Sequence, residues 1–112
     1  MGYKSRMSYL IEQTETFIDW ISSLRDLSGR IAILRRIDRV ADGNLGEIKP
    51  LGDGVSEMKI DKGPGYRDYH MRRGELVILL LAGGDKSSQE RDIKRAKQLA
   101  REMSNEQGDH DV

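Results

Sequence analysis

The longest unbroken apolar run in the chain, Leu76 to Ala82, constrains the fold more than any other segment. Seven apolar residues in succession are typical of a central β-strand that is covered on both of its faces. Gly83 and Gly84 follow this run, and we expect them to end the strand. We expect Ser87 or Ser88 to cap a helix that follows. The chain must therefore supply further strands beside this one and cover for both faces of the sheet.

The N-terminal part of the chain has helical spacing. Residues 7–12 form a possible short strand, and Thr14 is a candidate helix N-cap. Apolar residues then recur at helical intervals, and we expect this helix to end within residues 26–29. A second helix is predicted from about residue 30 to residue 41, where glycine and asparagine residues stop it. Two helices with a short joint predict an antiparallel hairpin.

The period changes from helical to alternating after residue 54. Apolar and charged residues alternate from Val55 to Asp61, as in a half-buried strand. A turn at residues 62–65 leads to a strand at residues 66–71, and a second turn at residues 72–75 leads to the apolar run. The order is a strand, two helices, three or four antiparallel strands and one helix. This order predicts an α+β domain.

Composition excludes several classes of protein. The 112 residues include no cysteine, which excludes disulfides, thiol catalysis and thiolate metal sites. The seven-residue apolar run is far shorter than the roughly 20 residues of a membrane-spanning helix. The N-terminus has no long apolar stretch with a small-residue cleavage site. We therefore expect a cytoplasmic protein.

The charges are unevenly distributed along the chain. The formal net charge is zero, but all 19 Lys and Arg residues precede residue 104, whereas three of the 19 acidic residues follow it. We predict one domain over residues 1–103 and a disordered polar tail over residues 104–112. The body of the chain is thus slightly basic.

Strand parity groups several charged side chains. Glu57 and Lys59 share one face of their predicted strand, and Arg67 and Tyr69 share one face of the next. If these strands pair, Lys59 and Arg67 converge. Lys86 lies at the turn after the central strand. The sequence therefore predicts a group of cations, drawn from three segments, that suits a phosphodiester.

A ribonuclease that uses no metal needs a base for the 2′-hydroxyl, cations for the charge on phosphorus and an acid for the leaving 5′-oxygen. Arg67 and Lys86 suit the second task, because arginine binds phosphate oxygens at two points. Lys59 can serve as a further cation or as the base. Glu57 and Asp92 remain as acid–base candidates. The sequence does not identify the general base.

Four further residues are predicted to bind RNA. Tyr69 can stack on a base, and Gln89 points the same way as Asp92 on its helix. Arg72 and Arg73 are the other two residues predicted to bind RNA.

Each of these residues also has a purely structural interpretation. Lys59 and Arg67 can be solvated charges on a half-exposed sheet, and Asp92 can satisfy a helix N-terminus. The arginines of the second helix are read as a solvated face. His70 points away from Arg67 by parity, and the two histidines lie too far apart for a metal site, so we predict neither a metal nor a cofactor.

An ordered set of motifs over about residues 8–102 resembles the phage-derived addiction-module killer proteins. These are HigB-type toxins of the RelE/ParE superfamily. The motifs are Trp20 with Leu24-Arg25-Asp26, Arg36-Ile37-Asp38-Arg39, Gly43-Asn44-Leu45-Gly46, the run Gly52 to Glu57, Gly63-Pro64-Gly65-Tyr66-Arg67, and the run Gly83 to Gln89 with Asp92-Ile93. The resemblance implies the RelE-like fold and a toxin of a type II toxin–antitoxin module that cleaves mRNA on the ribosome.

The resemblance also implies roles for particular residues. Lys59, Arg67 and Lys86 match the basic active-site positions of the family, and Asp92 falls where some RelE toxins place a tyrosine. Asp68 and His70 stand where apolar residues are expected. The implied partners are the ribosome, mRNA and a helix-turn-helix antitoxin of the HigA kind in a hetero-oligomer, with no membrane. The arginine-rich second helix and the acidic tail are candidate antitoxin surfaces.

Two other functions remain open on the sequence. ParE-type toxins inhibit DNA gyrase without catalysis on the same fold, and a small binding domain without toxicity is the third possibility. Fold alone does not choose among the three. The group of lysines and arginines favours the nuclease, because gyrase inhibition needs no convergent catalytic set.

Overall fold

Helices cover both faces of a five-stranded sheet in the computed structural model, which describes residues 8–110 and their side chains to residue 105. A helical hairpin packs on one face, and the C-terminal helix packs on the other. The elements in chain order are β1 (Leu10–Gln13), α1 (Glu15–Ser23), α2 (Leu27–Ala41), β2 (Lys49–Gly52), β3 (Val55–Ile60), β4 (Tyr66–Arg73), β5 (Val77–Gly84), a 3₁₀ turn (Lys86–Ser88) and α3 (Gln89–His110).

The strands lie in the order β1-β5-β4-β3-β2. Successive strands from β2 to β5 pair antiparallel, whereas β1 pairs parallel with β5, so the sheet is mixed. The α+β class, the helical hairpin and four antiparallel strands are confirmed. The hairpin and strands β2 to β4 separate β1 from β5 in the chain, which gives the long connection that a parallel pair requires.

The apolar run does form an interior strand with both faces covered. Ile78 and Leu80 pack with the hairpin, whereas Leu79 and Leu81 pack with α3. We call these two sides of the sheet the hairpin face and the α3 face. Full burial of one such side chain stabilises the fold by roughly 1.5–3 kcal/mol.

The end of this strand differs from the prediction. Leu76 precedes the strand, and Gly83 and Gly84 lie inside it. A Cβ atom on Gly83 would overlap the ring of Trp20, and one on Gly84 would overlap the carboxylate of Asp92. The glycines continue the strand because helical side chains press against it from both faces.

Two helix and strand boundaries also differ. The joint of the hairpin lies earlier than predicted: α1 ends at Ser23, before residues 26–29, and α2 begins at Leu27, before residue 30. The Asp26 side chain starts α2, because it accepts a hydrogen bond from the Gly29 amide at 3.0 Å. The Tyr66 hydroxyl donates to the other Asp26 oxygen at 2.7 Å. β4 extends to Arg73, so the predicted turn at residues 72–75 begins later than expected.

The C-terminal helix also departs from the prediction. Asp85, and not Ser87 or Ser88, caps the 3₁₀ turn that precedes α3. The helix then continues to His110, through most of the segment predicted to be a disordered tail, because each residue added to an existing helix gains one hydrogen bond. Residues 111 and 112, and residue 7 of the predicted first strand, lie outside the described residues. Within that described part, no helix is long and apolar enough to cross a membrane.

Candidate active site

Neighbouring strands bring the predicted cations together. Lys59 and Arg67 lie directly opposite each other in the β3–β4 pair, as strand parity predicts. Lys86 follows β5 in the 3₁₀ turn. These three side chains line an open cavity of about 560 Å³, together with Asp61 and the turn at residues 62–65. We call it the cationic cavity.

The Arg67 guanidinium is held in a fixed orientation. Its Nε donates to Glu57 Oε2 at 3.1 Å, and its Nη1 donates to the Gly65 carbonyl at 2.7 Å. The side chain is only 8% exposed. The Nη2 atom has no hydrogen-bond partner among the residues that the structure describes, so it is free to bind an anion in the cavity.

The turn before β4 joins Arg67 to Lys86. Gly65 adopts a φ of 79°, a conformation that favours glycine. A Cβ atom there would lie 3.3 Å from Arg67 Nη1 and 3.7 Å from Lys86 Cβ. The Lys86 amide also donates to the Pro64 carbonyl at 3.4 Å. The glycine therefore lets the backbone pass closely between the two cations.

Glu57 lies behind Arg67 and is almost fully buried. Its Oε2 atom accepts from both Arg67 Nε and Gln89 Nε2, the latter at 2.9 Å. A buried carboxylate is stabilised when charged donors and amides surround it. Both Glu57 and Gln89 are thus engaged in holding Arg67, whereas the sequence suggested an acid–base role for one and RNA contact for the other.

Tyr69 and Asp92 lie deeper on the α3 face than predicted. Tyr69 is completely buried, so its ring has no free face on which a base can stack, and the stacking prediction is wrong. Burial, followed by the negative charges of Glu57 and Asp92, raises the pKa of the Tyr69 hydroxyl. Asp92 accepts a hydrogen bond from Ser88 Oγ and does not line the cationic cavity. It lies in the first turn of α3, where a negative charge favours the helix N-terminus.

Arg72 and Arg73 lie at the other end of β4. Five or six residues at about 3.3 Å each separate them from Arg67, so the distance is about 17 Å or more. Arg72 donates to the Tyr9 hydroxyl at 3.0 Å, and Arg73 pairs with Glu12 at 3.3 Å. The prediction that these two arginines join the same RNA site is wrong, because they extend the strand past the expected turn.

A second buried charged group lies on the hairpin face. Asp68 and His70 are almost inaccessible, and Asp68 Oδ1 lies 3.6 Å from His70 Nδ1. Burial raises the pKa of Asp68, while His70 and the charge of Arg36 oppose that shift. His70 points away from Arg67, as parity predicted. Asp68, which the sequence left unexplained, thus faces two potential cations beneath α2.

The sequence missed a second site, beside the cationic cavity. An adjoining cavity of about 720 Å³ is lined by Arg36 and Arg39 of α2 and by Lys49, and it shares Lys59 and Asp61 with the first. The arginines were read as a solvated helix face. The sequence feature that could have identified this site is the spacing of three residues between Arg36 and Arg39, which places both on one side of the helix.

The chemistry available at this site is that of fixed cations. Among residues 8–105, whose side chains the structure describes, no three His, Asp or Glu side chains group as metal ligands do. Arg67 and Lys86 instead present donors to one open space, an arrangement that binds phosphate oxygens.

Comparison with known proteins supports the fold and establishes kinship. No protein-family model matches the chain. A solved structure of a double arginine-to-alanine mutant of the E. coli toxin RelE, in the free state, superposes with a TM-score of 0.62 at 18% identity. The match covers 80% of this chain and 98% of that chain, so this protein has the RelE-like fold. An uncharacterized protein of Haemophilus influenzae (strain Rd) is 45% identical over 97 residues, which are 87% of this chain and 98% of that protein. The chain therefore belongs to one family with that Haemophilus influenzae protein.

Proposed function

We propose that this protein is the toxin of a type II toxin–antitoxin module and that it inhibits translation by cleaving mRNA on the ribosome without a metal ion. The convergence of Lys59, Arg67 and Lys86 around one cavity of a RelE-like fold carries the proposal. Three cations from separate segments match the need to stabilise the extra negative charge on phosphorus. The HigB-type assignment within the superfamily rests on the sequence motifs.

Arg67 and Lys86 bind the non-bridging oxygens of the scissile phosphate in this mechanism. The free Nη2 of Arg67 faces the substrate, while Nε and Nη1 hold the guanidinium in place. Lys59 lies opposite Arg67 and serves as a third cation or as the base that takes the 2′-hydroxyl proton. The 2′-oxygen then bonds to phosphorus as the bond to the 5′-oxygen breaks, and solvent water in the open cavity protonates the leaving 5′-oxygen. Glu57 acts as a positioning residue, because two donors already occupy its Oε2 atom. Asp92 supports the turn that presents Lys86.

Partners complete the proposed activity. The cationic cavity is open and small, and the net charge of the whole chain is zero, so the ribosome supplies part of the binding to mRNA. A helix-turn-helix antitoxin of the HigA kind neutralises the toxin in a cytoplasmic hetero-oligomer.

Primer extension on a reporter mRNA in a purified translation system tests the proposal. Wild type should produce new cuts that require ribosomes. Arg67→Ala should lower the cleavage rate at least 100-fold, because it removes a phosphate-binding donor from the site. Arg73→Ala is the matched control, since it removes an arginine from the far end of the same strand, and it should cut as wild type does.

Two results would contradict the nuclease. One is the absence of cuts with wild type under every condition. The other is equal cleavage by Arg67→Ala and wild type. Covalent gyrase–DNA complexes trapped by the purified wild-type protein would instead identify a ParE-like gyrase inhibitor.

A further inference from the structure

The larger cavity continues the cationic cavity around the edge of the sheet. It lies between α2, the segment at residues 44–48, the edge strand β2 and the end of β3, and we call it the α2 groove. Its walls include Arg36, Arg39 and Lys49, and Lys59 stands where it meets the cationic cavity. The two cavities adjoin each other and share Lys59 and Asp61, so we treat them as one surface depression.

Positive charge is concentrated along this depression. Among the described residues, seven Lys and Arg side chains and three Asp and Glu side chains line the two cavities, although the chain as a whole is neutral. Of the acids, Glu57 is already paired with Arg67, which leaves Glu47 and Asp61. A depression in which cations outnumber acids attracts an extended anion, even in a protein that is neutral as a whole.

Arg36 stabilises one wall of the α2 groove through hydrogen bonds to the segment that follows α2. Its Nη2 donates to the Leu45 carbonyl at 2.5 Å, and its Nη1 donates to the Asn44 carbonyl at 3.5 Å. Gly46 has a φ of 63°, and a Cβ atom there would lie 2.5 Å from Arg36 Nη2. The guanidinium therefore fixes the segment that follows α2, and the glycine lets that segment approach it.

The other cations of the α2 groove are free. Within the described part of the chain, no hydrogen bond or ion pair engages the side chains of Arg39, Lys49 or Lys59. Burial lowers the pKa of Arg36, the charge of Asp68 opposes that shift, and the neighbouring charge of Arg39 adds to it. Two like charges held close together are stabilised by an anion between or beside them.

We propose that the α2 groove binds the sugar–phosphate backbone of a single RNA strand as it leads away from the cationic cavity. This inference rests on the proposed nuclease function and names the path of its substrate. Among the residues that the structure describes, no aromatic side chain lines either cavity, so these residues offer the bases no ring to stack on. Recognition along the α2 groove is therefore electrostatic, tolerant of sequence and sensitive to salt.

Fluorescence anisotropy with labelled 2′-O-methyl oligoribonucleotides tests this path, because such strands lack the 2′-hydroxyl and cannot be cut. Lengths of about four and about twelve nucleotides bracket one cavity and both cavities. The variant is Arg39→Glu with Lys49→Glu. The matched control is Arg35→Glu with Lys94→Glu, which makes the same change in net charge at exposed positions outside the α2 groove.

Wild type should bind the longer strand at least tenfold more tightly than the shorter one. The groove variant should lose that advantage. The slope of log K against log salt is negative, and its magnitude should decrease by about 1.4 in the variant, since each of the two lost phosphate contacts contributes about 0.7. The control should keep both. Far-UV circular dichroism verifies folding, and Arg39→Gln with Lys49→Gln replaces any variant that does not fold.

Equal affinity of wild type for both lengths would overturn the inference, as would an equal loss in the control. The ribosome-dependent cleavage assay separates the two proposals. If wild type cleaves mRNA but its affinity does not depend on strand length, the proposed RNA path along the α2 groove is wrong and the proposed nuclease function is kept. If wild type neither cleaves nor binds, both are wrong.

Discussion

Arg67 and Asp68 are consecutive, buried and charged, but they face opposite sides of the sheet and have opposite surroundings. Arg67, on the α3 face, donates to Glu57 and to the Gly65 carbonyl. The carboxylate oxygens of Asp68, on the hairpin face, have no hydrogen-bond partner among the described residues, and the nearest potential cation is His70 at 3.6 Å. The guanidinium of Arg67 is thus hydrogen-bonded and paired, whereas the carboxylate of Asp68 is buried without a hydrogen bond from the described residues.

The difference shows how one strand can serve two purposes. The α3 face ends in the cationic cavity, so Arg67 pairs inward and still presents one nitrogen to solvent. The hairpin covers the other face, so Asp68 is sealed from water. A sealed charge costs free energy unless it is fully paired. We therefore expect changes on the α3 face to alter the proposed chemistry, and changes at Asp68 to alter the pH dependence of stability.

Removal of the Arg67 partner should have the largest effect on stability. Glu57→Ala leaves the buried guanidinium without its carboxylate, and the free energy of unfolding should fall by about 3–5 kcal/mol in a urea titration. Glu12→Ala is the matched control, because it breaks the exposed pair with Arg73 and should cost about 1 kcal/mol or less. Equal losses in the two variants would show that Glu57 and Arg67 are not a buried pair.

Alanine substitutions of the two glycines at the end of β5 test the hairpin face and the α3 face separately. Gly83→Ala drives a methyl group into Trp20 on the hairpin face, and Gly84→Ala drives one into Asp92 and Ser88 on the α3 face. Each should lower the free energy of unfolding by about 1–3 kcal/mol in thermal or urea unfolding.

Only one of the two should affect the proposed activity. Gly84→Ala displaces the residues that support Lys86, so its ribosome-dependent cleavage should fall, whereas the folded fraction of Gly83→Ala should cleave as wild type does. A larger loss of cleavage in Gly83→Ala would reverse the assignment of the faces.

Asp68→Asn should have the smallest effect, seen in the pH dependence of stability. Burial raises the folded-state pKa of Asp68 above its ordinary value of 3.8, so the folded state binds more protons than the unfolded state above that pH. For this group, stability is therefore full below about pH 3.8 and decreases as pH rises through the folded-state pKa, by at most about 1.4 kcal/mol per pH unit.

The asparagine variant should lack this decrease when unfolding is followed across pH. Asp26 and Asp85 have lowered pKa values, for which hydrogen bonds from Gly29 and Ser87 respectively are the largest cause, so their stabilising effect disappears at acidic pH in both proteins. The difference between wild type and variant isolates Asp68. Identical pH profiles would mean that folding does not shift the pKa of Asp68.

The sequence predicted the elements and part of the site. Alternation from Val55 onward predicted that Lys59 and Arg67 meet, and the β3–β4 register confirms it. Alternation cannot tell a ring that faces solvent from one that faces a helix, and Tyr69 was therefore misread. The turn propensity of Gly74 was likewise assigned two residues too early, which misplaced Arg72 and Arg73.

What the sequence determined by itself was local: the period of each segment, the face on which each strand residue lies, and the order of elements that predicts the α+β fold. These follow from backbone geometry that each residue shares with its neighbours. The tertiary structure alone decided that Gln89 donates a hydrogen bond to Glu57 and that α3 buries Tyr69. It also decided that Arg36 and Arg39 line one cavity with residues of β2 and β3. Those contacts join residues far apart in the chain, and they depend on which helix covers which face of the sheet.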